Sequence, residues 1–456
     1  MMRRNVAIVG GGPGGLFTAL LLGREMATPP RITLFEAGNR LGGKIFTGRF
    51  HSGGHYEAGA AELYDYSSID TDPLRDLVEE FGLPIIEMGG AAAVLDGRVI
   101  GNLEQLHDRL GAGAAAAFIA FDARAKASIT PVDFYESGSV PGRVEPGSFA
   151  DHLEGIGDAA VRRYIEILVH SDLATEPART SVQYGLHNYL MNDPRYLRLY
   201  CIGGGNEQLV DALAAQIDAD IRLGTPVVEV GATSDGAIGL TSEGPRGRRE
   251  EPFDIVILAL PHECLSRLRF VGEKLEPALA CHLQRHDHPA HYLRITILFD
   301  RPFWRGLVSD SFFMLDHFGG CCLYDESARA PDEGTAALGW LLSGAEAERL
   351  ASLDDDDLVS LMLGALPEPL ASARGRVIES RVHRWINAVS ALPGGWPPTG
   401  LDERHRPEPV GHPGLFLVGD YLFDSTLNGV LDSAQHVAGW VAAIDTETMP
   451  ARTTSR

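Results

Sequence analysis

The sequence predicts an α/β protein in which a parallel β-sheet binds a dinucleotide, and three observations support that class. An apolar run at 5–9 is typical of a strand buried on both faces. A glycine-rich turn at 10–15 and an apolar helical stretch at 16–22 follow it. A second apolar run at 31–35 ends in the acidic residue Glu36. The order of strand, glycines, helix, strand and acid is that of a Rossmann-type unit.

The glycines of this turn have separate tasks at a dinucleotide. Gly10 permits the tight turn, Gly12 lets the pyrophosphate approach the backbone, and Gly15 lets the helix pack closely on the strand. The helix N-terminus offers free N–H groups and a partial positive charge to the phosphates. Glu36 lies about 20 residues beyond Gly15, where a carboxylate accepts hydrogen bonds from ribose hydroxyls. An acid there also disfavours a 2′-phosphate, which argues against NADP.

The residues after Glu36 indicate which dinucleotide is bound. The sequence Arg-Leu-Gly-Gly-Lys occupies 40–44. The stretch 6–44 resembles the opening of the FAD-dependent amine oxidase superfamily, which includes monoamine and polyamine oxidases, L-amino acid oxidases, protoporphyrinogen oxidase and the carotenoid desaturases. The resemblance implies that this second glycine pair lies against the diphosphate and the flavin.

The C-terminal part of the chain resembles the same family independently. An apolar strand ends in Gly419 and Asp420, and a helix is predicted from Asn428 to about Ala443. In the family this acid binds the ribityl chain and the helix N-terminus faces the flavin pyrimidine, where its dipole stabilises negative charge. The Val-Val strand at 227–228 matches the family's adenine side.

The resemblance therefore implies FAD as the cofactor. The segment around Trp385 lacks the cysteine that some relatives bond to the flavin, so we expect noncovalent binding. The implied FAD contacts are Gly10, Gly12, Gly14, Gly15, Glu36, Arg40, Gly42, Gly43, Lys44, Val228, Gly419, Asp420, Asn428 and Val430.

A chain of 456 residues is too long for a single core and suits two interleaved domains. The predicted fold is α/β, with a Rossmann-type FAD-binding domain interleaved with an α+β substrate domain of mixed sheet and helices. The FAD-binding domain is assigned to 1–75, 200–285 and 405–445, the substrate domain to 76–199 and 286–404, and a polar tail to 446–456.

Composition excludes several kinds of partner. The net charge of −23, from 39 Lys and Arg against 62 Asp and Glu, argues against nucleic acid and anionic membrane. We expect no signal peptide, and no apolar run reaches the ~20 residues that a bilayer span needs. Five cysteines without paired spacing favour reduced thiols in a cytoplasmic protein. No metal site is predicted, because the Cys and His residues between 281 and 291 match no zinc spacing.

Three residues are candidates for catalysis. An Arg at the position of Glu62 holds the substrate carboxylate in the family's amino acid oxidases, whereas a carboxylate attracts an ammonium. Arg294 stands where the family has a lysine that holds a water beside flavin N5, and an arginine keeps the charge but cannot deprotonate. Trp385 matches one of the two aromatic residues that flank amines in the family, and Thr426 stands at the second of these positions.

The predicted substrate-binding residues are Glu62, Tyr64, Tyr184 and Thr426. The chain lacks C-x-x-C and a second nucleotide fingerprint, so the substrate itself would reduce the flavin. The sequence thus predicts an FAD-dependent oxidoreductase that transfers a hydride from a C–N bond of a small amine to flavin N5, with O2 as a candidate acceptor.

Three alternatives stay open at this point. They are a desaturase or protoporphyrinogen-type C–C oxidase, an L-amino acid oxidase, and a flavin-fold partner protein without catalysis. A homodimer also stays open.

Overall fold

The structure is a computed structural model that describes residues 3–90, 92–136, 147–233, 236–307, 310–331, 334–393, 399–423 and 425–446. The predicted polar tail therefore lies outside the described residues, apart from its first residue. Within the described part, no helix combines the length and the apolar character that a membrane crossing requires.

The strands, numbered in chain order, are β1 Asn5–Val9, β2 Arg31–Phe35, β3 Thr47–Arg49, β4 His55–Glu57, β5 Leu63–Asp65, β6 Ile85–Met88, β7 Ala93–Leu95, β8 Arg98–Ile100, β9 Arg198–Ile202, β10 Ala219–Arg222, β11 Val227–Ala232, β12 Ile238–Gly244, β13 Gly247–Phe253, β14 Ile255–Leu258, β15 Arg269–Val271, β16 Pro289–Phe299, β17 Phe312–Leu315, β18 Cys321–Asp325, β19 Ala337–Ser343, β20 Val377–Ser390 and β21 Leu415–Leu417.

The α-helices are α1 Pro13–Glu25, α2 Pro73–Glu80, α3 Leu103–Leu110, α4 Ala112–Ser128, α5 Pro131–Glu136, α6 Phe149–Glu154, α7 Ala159–Leu173, α8 Val182–Leu190, α9 Glu207–Gln216, α10 His262–Leu265, α11 Leu275–Arg285, α12 Gly344–Leu350, α13 Asp355–Gly364, α14 Leu401–His405 and α15 Leu427–Thr446. Short 3₁₀ helices cover Pro177–Arg179, Glu326–Arg329, Glu368–Arg376 and Asp420–Leu422.

The chain divides into two compact units, each built from separate stretches of sequence. Unit 1 comprises Met1–Ile45, Leu209–Asp287 and Thr399–Arg456, and unit 2 comprises Phe46–Gln208 and His288–Pro398. The assignment of FAD to one domain and substrate to the other stays a prediction.

Unit 1 contains the predicted parallel sheet. Its five strands lie in the order β10-β2-β1-β14-β21, and every pairing is parallel. The residues of β1 from Val6 to Val9 are buried, as the uninterrupted apolar run predicts for a strand covered on both faces. A separate four-stranded sheet has the order β13-β12-β11-β15. The Rossmann-type α/β fold class is confirmed.

Unit 2 is built on a seven-stranded mixed sheet of order β20-β16-β19-β18-β17-β7-β8. Side chains alternate across a strand, so β16 sends Leu293, Ile295 and Ile297 to one face and Tyr292 and Arg294 to the other. The first three belong to a fully buried apolar core. The opposite face is aromatic and charged, and it carries the candidate site of this unit.

Candidate active site

The glycine turn after β1 has the tight geometry that the sequence predicts. Gly10 has a φ of 110°, and a Cβ on it would lie 2.2 Å from the carbonyl oxygen of Ala259. A Cβ on Gly15 would lie 2.0 Å from the carbonyl oxygen of Gly10. Both contacts are with backbone atoms, so neither position admits a side chain. Helix α1 therefore starts directly against the sheet.

The two glycine segments form one cradle. The N–H of Gly42 donates to the carbonyl of Gly11 at 2.8 Å, and Gly42 and Gly43 have φ angles of 100° and 53°. A Cβ on Gly12 would meet only the Cα of Gly43, at 3.8 Å. The space beyond Gly12 is open, as an approaching pyrophosphate requires.

Helix α1 directs unused donors toward this cradle. It begins at Pro13 without a side-chain cap, and the N–H of Leu16 is bonded to the carbonyl of Gly12. Uncapped N–H groups of a first helical turn bind phosphate. A Cβ on Gly14 would lie 3.1 Å from Val418 and 3.5 Å from Val430. The N-terminal and C-terminal motifs are therefore packed together in unit 1.

Glu36 and Arg40 hold the backbone of the cradle in place. The carboxylate of Glu36 accepts hydrogen bonds from the N–H groups of Gly11 at 2.8 Å and Gly38 at 2.6 Å. The guanidinium of Arg40 donates to the carbonyl of Gly43 at 2.6 Å. Each residue thus fixes the loop that would receive the cofactor, and the predicted contact of each with FAD stays a prediction.

Lys44 and Asp420 lie together, as two residues expected at one cofactor should. Their side chains form an ion pair, and Asp420 is 8% exposed. Asp420 also accepts a hydrogen bond from the N–H of Tyr421 at 3.0 Å. Both carry charges that suit the phosphate and hydroxyl groups of a dinucleotide.

The helix predicted after the C-terminal motif is α15. Asn428 and Val430 lie in its first turn. The hydroxyl of Thr426 accepts a hydrogen bond from the N–H of Gly429 at 2.9 Å. Thr426 therefore caps this helix, and its predicted contact with substrate stays a prediction.

Val228, the predicted adenine contact, occupies an irregularity in β11. The register of β11 against β12 shifts between Val227 and Glu229, so the ladder skips Val228. A bulge of this kind leaves backbone groups of the bulged residue outside the ladder. Those groups are suited to hydrogen bonds with a base.

Unit 2 brings together two carboxylates that the sequence places far apart. Tyr324 donates its hydroxyl hydrogen to Oε2 of Glu62 at 2.8 Å. Burial raises the pKa of Glu62. Burial, and then the charge of Glu62, raise the pKa of Asp172 well above its usual range. The charge of Glu62 therefore opposes ionisation of Asp172.

Tyrosines surround this pair. Tyr64, Tyr184 and Tyr292 are half-buried, as are Glu62 and Asp172. Burial raises the pKa of Tyr64 and of Tyr292 well above the usual value, and the negative charge of Asp172 contributes to both shifts. The structure thus brings three predicted substrate residues, Glu62, Tyr64 and Tyr184, to one place.

Arg294 is placed in a buried ion-pair triad. It is 1% exposed, and its Nη2 donates to Oε1 of Glu326 at 2.5 Å. Nε of Arg329 donates to Oε2 of the same carboxylate at 2.8 Å. Burial opposes the charge on Glu326, but the two guanidiniums outweigh it and lower the pKa. The charge of Arg294 is therefore already paired with Glu326. Its predicted role in holding a water or a substrate oxygen stays a prediction.

The triad also fixes the segment that carries Glu62. Arg329 donates to the carbonyl of Ala61, and Glu326 accepts from the N–H of Glu57 at 3.2 Å. Tyr324 stacks under Arg294, with the guanidinium carbon 4.9 Å from the ring centroid. The triad therefore positions the carboxylate of Glu62 through its neighbours.

Trp385 is half-buried and lies opposite Tyr292 in the register of β16 and β20. Directly opposed residues share a face of the sheet. The indole N–H of Trp385 donates to the carbonyl of Ala58 at 2.7 Å. This bond fixes the ring on the same face as Tyr292, and a direct catalytic role for Trp385 stays a prediction.

Glu57 supplies a pH-dependent prediction. Its side chain is fully buried, burial raises its pKa to about 7, and it accepts the N–H of Asn206 at 2.8 Å. When a carboxyl group has a higher pKa in the folded protein than in the unfolded chain, the folded protein loses stability as the pH rises from the unfolded-state pKa to the folded-state pKa. From pH 4.5 to about 7, the free energy of unfolding of the unchanged protein should fall by up to about 3 kcal/mol more than that of the Glu57→Gln variant, which lacks this titrating group. Urea titrations of both proteins across this range measure the difference, and parallel pH profiles would contradict the prediction.

Comparison with known proteins agrees with this geometry. The profile of the family described as flavin-containing amine oxidoreductase matches residues 13–442. The chain belongs to this family. Flavin is therefore its cofactor type, and it is an oxidoreductase that acts on a small molecule, as predicted.

Individual relatives span almost the whole chain. The flavin-dependent L-tryptophan oxidase RebO of Lentzea aerocolonigenes is 26% identical over 487 residues, which cover 94% of this chain and 96% of the relative. A putrescine oxidase bound to putrescine has a TM-score of 0.70 at 19% identity, covering 97% of this chain and 99% of that one. Cyclohexylamine oxidase from Brevibacterium oxydans IH-35A has a TM-score of 0.71 at 18% identity, covering 98% and 100%. These structures share the two-domain fold.

The sequence did not reveal several residues of the unit 2 site. Asp172 lies in the last turn of an amphipathic helix and Tyr324 lies in a short apolar strand, and neither has a local signal of function. One weak signal was present, because the segment that contains Glu326 and Arg329 follows a buried strand and carries charges. Their role emerges only when the sheet brings them to Arg294.

Proposed function

We propose that this protein is an FAD-dependent amine oxidase whose substrate is bound as a cation by unit 2. The observation that carries the proposal is the pair formed by Glu62 and Asp172. Among the described residues, neither carboxylate forms an ion pair with Lys or Arg: Glu62 accepts a hydrogen bond from Tyr324, and the charges of Arg329 and Arg294 act on it without such a contact. A substrate ammonium would supply the missing positive charge.

The residues of the chain then have distinct tasks. Glu62 binds the ammonium and accepts a proton from it, since a carboxylate with a raised pKa is the stronger base. Tyr324 keeps Glu62 in position, and the triad around Glu326 fixes the segment behind it. Bound FAD supplies the two-electron chemistry that these side chains lack.

The overall reaction balances with one acceptor. The amine loses two electrons and two protons and becomes an imine, which water hydrolyses to a carbonyl compound and ammonia. With O2 as acceptor, the same two electrons and two protons give hydrogen peroxide. Incubation of the holoenzyme with n-butylamine in air should therefore release ammonia and peroxide in equal amounts. Ammonia without peroxide would point to another acceptor. The absence of both products would contradict the amine proposal.

The proposed FAD is noncovalent and lies in the cradle of unit 1. Acid precipitation should leave all flavin in the supernatant, where chromatography should identify it as FAD. Flavin retained in the pellet, or released as FMN, would contradict this. The cysteines do not occur at the paired spacings of a disulfide framework, and reduced thiols of this kind support a cytoplasmic location.

Gly12→Ala tests the cradle directly. Gly12 has a φ of −76° and room for a methyl group in the protein alone, so the fold should tolerate alanine. The methyl group would occupy the space of the pyrophosphate, so the Kd for FAD should rise at least about tenfold. Gly23→Ala in helix α1, which follows Gly12, is the control: a Cβ at Gly23 meets nothing within 4 Å, so the Kd should stay unchanged. Fluorescence titration of the apoprotein with FAD measures both, and an unchanged Kd for Gly12→Ala would place the cofactor elsewhere.

Oxidation of an amino acid is the second candidate. Nε and Nη1 of Arg294 have no hydrogen-bond partner among the described residues, and this side chain shares a sheet face with Tyr292. These donors favour a carboxylate on the substrate. The two acidic side chains nearby favour a simple amine instead, because they would repel that carboxylate.

A further inference from the structure

The segment that carries Asp420 has little structure of its own. It is the 3₁₀ helix Asp420–Leu422 between β21 and α15. The backbone hydrogen bonds donated by Leu422 and Phe423 measure 3.3 and 3.1 Å. Such short 3₁₀ turns have poorer hydrogen-bond geometry than α-helices. The position of the Asp420 carboxylate therefore depends on contacts from other elements of unit 1.

A relay of buried polar groups holds the start of this segment. The N–H of Gly419 donates to Oγ of Ser433 at 3.1 Å, and this Oγ lies 3.0 Å from Nε2 of His405. Ser433 and His405 are both 0% exposed. Because solvent does not reach these groups, each depends on the next one for its hydrogen bond.

The bonds of His405 fix the direction of the relay. Its Nδ1 lies 2.8 Å from the carbonyl oxygen of Leu401, which can only accept, so Nδ1 carries the hydrogen. Burial lowers the pKa of His405 to about 3, and the ring is therefore neutral at ordinary pH. In this tautomer Nε2 is an acceptor, so the Ser433 hydroxyl donates to it. The oxygen of the same hydroxyl accepts the N–H of Gly419, and the relay has one consistent arrangement of hydrogens.

The residue before His405 holds the end of the same segment. Nη1 of Arg404 donates to the carbonyl of Leu422 at 2.6 Å. In the middle of the segment, a hydrogen bond of 3.1 Å joins the hydroxyl of Tyr421 and Nε2 of His282. Helix α14 therefore anchors both ends of the segment, and helix α11 anchors its middle.

We propose that His405 and Ser433 are positioning residues for the flavin half of FAD, because they hold the backbone from which the Asp420 carboxylate projects. This inference rests on the proposed FAD site and adds two residues behind the predicted contacts. The resemblance implies that Asp420 binds the ribityl chain, and its ion pair with Lys44 connects the anchored segment to the cradle. A shift at Gly419 should therefore move the carboxylate away from the ribityl chain and leave the glycine turn after β1 in place.

Fluorescence titrations of the apoprotein with FAD and with ADP test this assignment. FAD needs both the Asp420 segment and the glycine turn, whereas ADP needs the glycine turn alone. His405→Asn places its amide near the position of Nδ1 and so loses the acceptor for Ser433. Its Kd for FAD should rise at least about tenfold while its Kd for ADP stays unchanged. Ser433→Ala removes the middle of the relay and should have the same effect, since a helix accepts alanine readily.

A conservative variant and a control separate positioning from stability. His405→Gln extends its amide to about the position of Nε2, so its oxygen can accept the Ser433 hydroxyl. Its Kd for FAD should lie within about threefold of that of the unchanged protein. His412→Asn replaces another buried histidine of unit 1, which binds Glu408 at 2.7 Å ahead of β21. It should leave both Kd values unchanged, although it also disturbs a buried hydrogen bond.

The outcomes separate this inference from the function beneath it. An unchanged Kd for FAD in both His405→Asn and Ser433→Ala overturns the positioning role, as do equal losses of FAD and ADP affinity. Equal losses of FAD affinity in His405→Gln and His405→Asn also overturn it, because the relay would then not be the cause. If the unchanged apoprotein does not bind FAD, the proposed cofactor site fails and the inference fails with it.

Discussion

Glu326→Gln is expected to lower the free energy of unfolding by about 3–5 kcal/mol, because it leaves two buried guanidiniums without a counter-charge. Glu326 is 1% exposed and binds Arg294 and Arg329 through different carboxylate oxygens. Removing one member of a buried charge network leaves the remaining ions desolvated and unpaired. The stability lost in this way is far larger than the stability difference between the intact network and apolar residues in its place. Urea unfolding, followed by circular dichroism, measures the loss.

A matched substitution on the surface gives the control. Glu154→Gln, at an exposed position of helix α6, makes the same chemical change and should alter stability by less than about 0.5 kcal/mol. Replacing all three triad members by Met, Leu and Met should be less destabilising than Glu326→Gln alone, because no buried charge remains. A loss below about 1 kcal/mol for Glu326→Gln would show that the triad is not a closed charge network.

Glu62→Gln is expected to weaken binding of a cationic amine at least about 30-fold, the equivalent of about 2 kcal/mol. The substitution keeps the size of the side chain and removes the charge that faces the ammonium. The loss should be largest where Glu62 is ionised and should shrink at low pH, because the protonated carboxyl of the unchanged protein then carries no charge either. Under anaerobic conditions, the dependence of the rate of flavin bleaching on n-butylamine concentration measures the Kd, and an unchanged value would remove Glu62 from the site.

Tyr324→Phe provides the companion variant with the carboxylate retained. The hydrogen bond from Tyr324 lowers the pKa of Glu62 against the larger effect of burial, so its loss should raise that pKa further. A carboxylate binds the ammonium only when ionised, so the midpoint of amine binding should move to higher pH. At sufficiently high pH the affinity should approach that of the unchanged protein, which distinguishes this variant from Glu62→Gln.

The cofactor side of the protein could be predicted because its signals are local. Gly10, Gly12 and Gly15 occur within one turn, and their spacing alone requires the geometry that the structure shows. The parallel strands likewise follow from short uninterrupted apolar runs. The helix from Asn428 was predicted for the same reason, although the cap formed by Thr426 was not.

The substrate side could be predicted only in part. Glu62 and Tyr64 were identified through a resemblance and Tyr184 as an aromatic residue that could line a pocket, but Asp172 and Tyr324 meet them only through the packing of α7 on the sheet. Arg294 shows the limit most clearly. Because Arg294 stands where the family has a lysine, the sequence suggested a functional role for it. Its ion pair with Glu326 depends on the register between strands, which no local sequence pattern specifies.

The most direct test of the central claim is the flavin absorbance of the holoenzyme after anaerobic addition of n-octylamine, n-butylamine or L-amino acids. The account predicts that the amines bleach the flavin band, that L-amino acids do not, and that Glu62→Gln slows the bleaching. Bleaching by L-amino acids alone would contradict it and favour the carboxylate-binding role of Arg294. A protein that cannot be loaded with flavin would contradict the account at its foundation.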